Sequence, residues 1–152
     1  MNISYVKDIG DLIQQVSASA LATATAGGAG NNTQVTGSSI DRAAYGMPRS
    51  AQFAVAYETA LTSAKTFGIT AAKVEHSADN SAWTTFATLT APGTLATGAG
   101  TVDGIVTFNV DLNSAYRYIR FDWTPSLSNT ATDTVSQIAH VVLGGTTHLP
   151  PP

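Results

Sequence analysis

The sequence predicts an all-β protein, an antiparallel β-sandwich of jelly-roll-like character preceded by an N-terminal arm or short helix. Three observations lead there. From Ile40 onward, short runs rich in Val, Ile, Thr, Tyr and Phe are separated by turn residues at sandwich-like spacings. In residues 51–59 the large Phe53, Val55 and Tyr57 alternate with Gln52, Ala54, Ala56 and Glu58, the two-residue period of a half-buried strand. Residues 134–143 then form a nearly continuous apolar run through Ile138, Ala139, Val141, Val142 and Leu143, which fits a strand covered on both sides.

Along the chain, residues 1–21 place Ile9, Leu12, Ile13 and Val16 at spacings of three and four, the pattern of one face of a short helix. Asp8 could cap it and Gly10 weakens it, so this arm is expected to become ordered against a partner or against the domain itself. Residues 22–39 are dominated by Gly, Ala, Thr, Ser and Asn, with Val35 the only large apolar side chain, and read as a linker. The organisation predicted is therefore an arm and linker over 1–39, a sandwich over 40–145 and an extended, Pro-ended tail over 146–152.

Within the domain, residues 67–76 read as a strand, Ser77 to Ser81 as a tight turn, and 83–89 as the returning strand of a hairpin. Residues 91–103, rich in Gly, Thr and Ala, read as a loop, and 104–112 resume as a strand with Val106, Phe108 and Val110 on one side. Residues 116–124 put Arg117, Ile119, Phe121 and Trp123 opposite Tyr116, Tyr118, Arg120 and Asp122, as in a central strand whose second face is also covered. Arg117 and Arg120 thus project to opposite faces, one to pair with Glu75 or Asp122, the other to reach solvent or a partner. Residues 125–133 read as a polar loop.

Composition narrows the function. Charged residues make up 11% of the 152 residues, against about 25% in an ordinary soluble domain, which suits a surface occupied by neighbouring subunits. Seven Lys and Arg against ten Asp and Glu, with no basic run, offer no footprint for direct nucleic-acid binding. The absence of Cys excludes thiol chemistry and disulfides. No stretch approaches the roughly 18 apolar residues of a membrane-spanning helix, and the N-terminal residues, with Lys7 followed by Asp8 and Asp11, lack the pattern of a secretory signal.

Reactive constellations are missing as well. His76, His140 and His148 stand without a second His or a carboxylate at metal or triad spacing. Gly27-Gly28-Ala29-Gly30 and Gly98-Ala99-Gly100 lack the Lys-Ser/Thr of a phosphate loop, and the carboxylates are scattered over different elements. The expectation is a non-enzymatic protein with no metal and no cofactor.

Two patches, Val74-Glu75-His76-Ser77-Ala78-Asp79-Asn80-Ser81-Ala82-Trp83 and Tyr116-Arg117-Tyr118-Ile119-Arg120-Phe121, bear a lesser resemblance to discoidin-like domains, where a similar hairpin precedes a "YIR" strand. With the "IDRA" opening at Ile40 to Ala43, Thr132 to Thr134 and the final "VVLGG" run, residues 40–149 more fully resemble capsid decoration, or cement, proteins of tailed bacteriophages. That resemblance implies a structural protein, commonly trimeric, on the virion's capsid exterior after assembly in the host cytoplasm. Its partners would be the major capsid protein and other copies of itself. The alternative is a carbohydrate-binding module of a phage tail or fibre, using the loops around Asp79 to Trp83 and Pro125 to Asp133. Tyr5, Ile9, Leu12, Ile13, Val16, Arg120, His148, Leu149 and Pro150 are the expected partner-contacting residues.

Overall fold

A computed structural model describes residues 12–128 and 132–146. Tyr5, Ile9, His148, Leu149 and Pro150 lie outside the described residues. The elements run β1 (Ile13–Ser17), β2 (Ala22–Thr25), β3 (Val35–Thr36), β4 (Ile40–Asp41), a 3-10 turn (Arg42–Tyr45), β5 (Ser50–Ser77), β6 (Thr84–Leu89), β7 (Gly93–Asp111), β8 (Tyr118–Leu127) and β9 (Thr134–Gly144). All strand pairs are antiparallel, and the protein is an all-β sandwich.

The sandwich is made by folding one sheet over on itself. The first half of β5 lies between β7 and β9, with Phe53 opposite Phe108 on one side and Val141 on the other. Its second half lies between β8 on one side and β6 with the start of β7 on the other. The crease falls where the β5–β7 register breaks between Leu61 and Lys65. Ala64 takes a left-handed φ of 61°, and across the ladder Gly98 and Gly100 have φ of 111° and 98°. Such values are open to Gly at little cost, so the glycines let β7 turn the corner beside β5. Strands β1 and β2 extend the first layer from β9, and β3 and β4 extend the second from β8.

Between the layers, apolar alternation becomes core. Phe53 of the first layer stacks on Phe121 of the second with ring centroids 5.0 Å apart, and Phe108 and Trp123 close around Phe121 at 5.4 and 5.5 Å. The Trp123 indole N–H donates across the gap to Gln137 Oε1 at 2.9 Å, so the one polar tip of this cluster is satisfied. Val55, Phe67, Ile69, Val74, Leu112, Ile119, Ala139, Val141 and Leu143 are fully buried around it.

Four expectations change. The helical reading of Ile9, Leu12, Ile13 and Val16 gives way, where described, to strand β1 on the edge of β9. A helix this short is marginal in water, while β9 offers a full ladder of hydrogen bonds; as a strand, Ile13 and Val16 face opposite sides. The linker reading of 22–39 gives way to β2 and β3, because side chains as small as Ala24 and Ala26 can pack to 2% exposure against the core. The predicted loop over 91–103 belongs mostly to β7, held by β5 despite its weak strand propensity. Strand β9 alternates buried positions with exposed (Thr134, Ser136) and then half-buried ones, so its outer face is only partly covered.

Candidate interaction surfaces

The outer face of the second layer carries a cluster of four charged side chains, Lys73, Glu75, Arg120 and Asp122. Glu75 of β5 sits opposite Arg120 of β8, and Lys73 opposite Asp122. Arg120 donates from Nε and Nη2 to Glu75 Oε2 at 2.9 and 2.5 Å, and Lys73 Nζ donates to Glu75 Oε1 at 2.6 Å. Asp122, fully buried, accepts from Gln34 Nε2 at 3.0 Å and from the Gly37 N–H at 3.1 Å. The Arg120 guanidinium lies 4.4 Å over the Trp83 ring, a cation–π contact. The hairpin Trp and the RYIR strand noted in the sequence are therefore one unit, and Arg120 is engaged within its own chain. Arg117 projects the other way and pairs, exposed, with Asp41 at 2.7 Å.

Burial works against ionisation of Glu75, but the hydrogen bonds from Lys73 and Arg120 outweigh it and hold its pKa below the usual range. Asp122 is pushed the other way, first by burial and further by the Glu75 charge, against the Gly37 N–H. The two have opposite consequences. A lowered folded pKa gives stability that is lost on acidification, whereas a raised one gives stability that grows as pH falls. Asp122→Asn is thus expected to make the protein lose stability more steeply between pH 7 and pH 4 than the parent. Urea midpoints across that range measure it, and a shallower slope in the variant would contradict the assignment.

One end of the sandwich is closed by His76, whose ring stacks on Tyr116 at 4.1 Å and packs against Phe86 at 5.0 Å. Its Nδ1 accepts the Tyr116 N–H at 3.2 Å, and burial, aided by the nearby Arg42 charge, lowers its pKa. This describes a neutral packing imidazole. The Asp79 carboxylate accepts the Ala82 and Ser81 N–H groups and the Ser81 and Ser77 hydroxyls, which lowers its pKa and locks the hairpin turn. Among the described residues no His, Asp and Glu group is placed to hold a metal ion.

The outer face of the first layer is different in kind. The ladder places Ile138, Ala56 and Ile105 in one row and Ser136, Glu58 and Asp103 in the next. Ile105 is 70% exposed and Leu21, beside the same shallow depression, 65%. The depression holds about 370 Å³ and is bordered by Leu21, Ala56, Glu58, Asp103, Ile105 and Ile138. The row beyond Ile138 holds the half-buried His140 with Ala54 and Thr107. Sequence reasoning missed this face, although a signal existed: Ile105 falls out of phase with Val106, Phe108 and Val110, an aliphatic residue in the polar register. Of the expected partner-contacting residues, Leu12 and Ile13 are half-buried near the β1 edge, and Val16 packs against the core.

No protein-family model matches the chain, and no curated protein matches it. Among solved structures, one of infectious bursal disease virus, Gx strain, is similar with a TM-score of 0.52 and 15% identity over 91% of this chain and 35% of that one. The VP2 subviral particle of infectious bursal disease virus gives 0.51 and 16% over 91% and 34%. The PBSX exported protein XepA is more distant, at 0.44 and 15% over 93% and 40%. The chain spans about a third of the length of the viral chains, and what it has in common with them is the β-sandwich fold.

Proposed function

We propose that this protein is a non-enzymatic virion structural protein that binds the exterior of a phage capsid and stabilises the shell by bridging capsid subunits. The observation that carries the reading is the outer face of β9, β5 and β7, where Ile105 and Leu21 stand exposed beside Ala56 and Ile138. Exposed aliphatic side chains on a sheet gain by being covered, and a sparsely charged chain suits lasting contact with other subunits. The sandwich fold it has in common with VP2 chains of a subviral particle fits a building block of a shell. In this reading the major capsid protein is the partner, further copies, as a trimer, multiply weak contacts into lasting attachment, and assembly takes place in the host cytoplasm.

The test is mechanical. Capsids with the protein are expected to carry bound copies after sedimentation and to survive higher temperature and steeper osmotic shock than capsids without it. No bound copies and unchanged tolerance would overturn the proposal. The alternative of a carbohydrate-binding module depends on free aromatic faces. Trp83 has Arg120 over its ring, and Tyr116, though 53% exposed, is stacked on His76. Reproducible binding of the isolated domain to a glycan array would favour that alternative.

A further inference from the structure

Among the described residues β7 is the one long edge strand. From Gly100 to Asp111 it pairs with β5 on one side only, whereas the other edge strands, β1, β2, β3, β4 and β6, run six residues or fewer. An edge of this kind presents a row of unpaired N–H and C=O groups, which proteins usually blunt with Pro, Lys, a bulge or shortness. This stretch has no Pro and no Lys, and its register with β5 is unbroken from Gly100 to Asp111. Resting on the reading that the domain binds other subunits, we propose that the β7 edge accepts an added strand from a partner protein, and that the partner strand carries a Lys or Arg two residues from an aliphatic residue.

The charge follows from what lies beside the edge. Asp103 of β7 faces Glu58 of β5 directly, both exposed, and no ion pair engages either among the described residues. Like charges directly opposite on a sheet repel, so a cation arriving next to Asp103 relieves a repulsion already present. Ile105 lies two residues along on the same face and is the most exposed large apolar side chain of the described protein. An added strand places its own alternate side chains beside Asp103 and Ile105, so its backbone supplies affinity and its period-two pattern supplies selectivity. A second copy pairing through β7 would bring no cation to Asp103, because residues 100–111 contain neither Lys nor Arg, which argues for a basic partner instead.

The probe is an end-blocked peptide of sequence TKVIVTT, with TEVIVTT as its charge-reversed counterpart, titrated into the full chain at low salt. The Lys peptide is expected to slow hydrogen exchange of amides between Val102 and Val110 and to bind on the order of tenfold more tightly than the Glu peptide, the difference shrinking with added salt. Asp103→Lys should reverse that preference while leaving the free protein as stable as the parent, or more so. Equal binding of both peptides, no exchange protection in β7, or protection of β7 in the free protein that grows with its concentration would each overturn the proposal. If capsids bind the protein and Asp103→Lys binds them equally well, the edge proposal fails while the structural reading stands. If no capsid binds it but the Lys peptide protects β7, the reverse holds.

Discussion

Arg42→Leu is expected to destabilise the protein by about 3–5 kcal/mol, lowering Tm by roughly 10 °C or more in a domain of this size. Arg42 is 2% exposed and has no carboxylate partner among its hydrogen bonds. Its guanidinium instead donates to four backbone carbonyls, from Nη1 to Ala115 and to Tyr116 (2.9 Å), and from Nη2 to Pro48 (2.6 Å) and Leu112 (2.9 Å). One flat cation thereby holds the chain before β5 and the β7–β8 connection together. Leucine fills part of the volume and takes away the Arg42 donor from all four carbonyls, of which Leu112 keeps the Ala115 N–H. Arg42→Lys should recover only part of the loss, because an ammonium cannot reach as a planar fork does. A second readout is His76: burial still lowers its pKa, but without the Arg42 charge its titration, followed by NMR, should move upward. A stability loss below about 1 kcal/mol would mean that water satisfies the carbonyls and the cage is unimportant.

Phe121→Ala is expected to cost about 3–5 kcal/mol as well. Phe121 is fully buried and touches rings from both layers, Phe53 at 5.0 Å, Phe108 at 5.4 Å and Trp123 at 5.5 Å. Its removal opens a void that rigid neighbours cannot collapse into. Phe121→Leu, which keeps most of the volume but not the stacking, should cost roughly half as much. Urea denaturation gives the energies, and near-ultraviolet circular dichroism should lose intensity in the Ala variant before any unfolding. An Ala variant as stable as the parent would mean that the two layers are not joined through this ring.

Much of the fold is legible in the sequence because it depends on side-chain period. The alternation of Phe53, Val55 and Tyr57 assigns the correct face of β5, and the opposite projection of Arg117 and Arg120 matches their separate partners, Asp41 and Glu75. What escapes is set by partners distant in the chain. Residues 93–103 have the composition of a loop and become a strand only because β5 lies beside them. Ala22–Thr25 is a strand because β9 presents an edge to it. The length of β5 was hidden by its corner at 62–64, which divides one strand into two apparent ones. Arg42 carries no sign of its role either, since backbone carbonyls leave no mark in a sequence. The motif pieces are better explained by contact: Asp41 meets Arg117, Arg42 gathers the carbonyls before the RYIR strand, and Arg120 covers Trp83.

The corner in β5 and β7 has a mechanical meaning. Both strands run through each layer, so peptide bonds, and not only packed side chains, connect the two faces along that side. The sandwich cannot open there like the covers of a book. A tug delivered to one face travels along covalent chain to the opposite face, and neighbours gripping the two sides feel each other's load through the backbone itself.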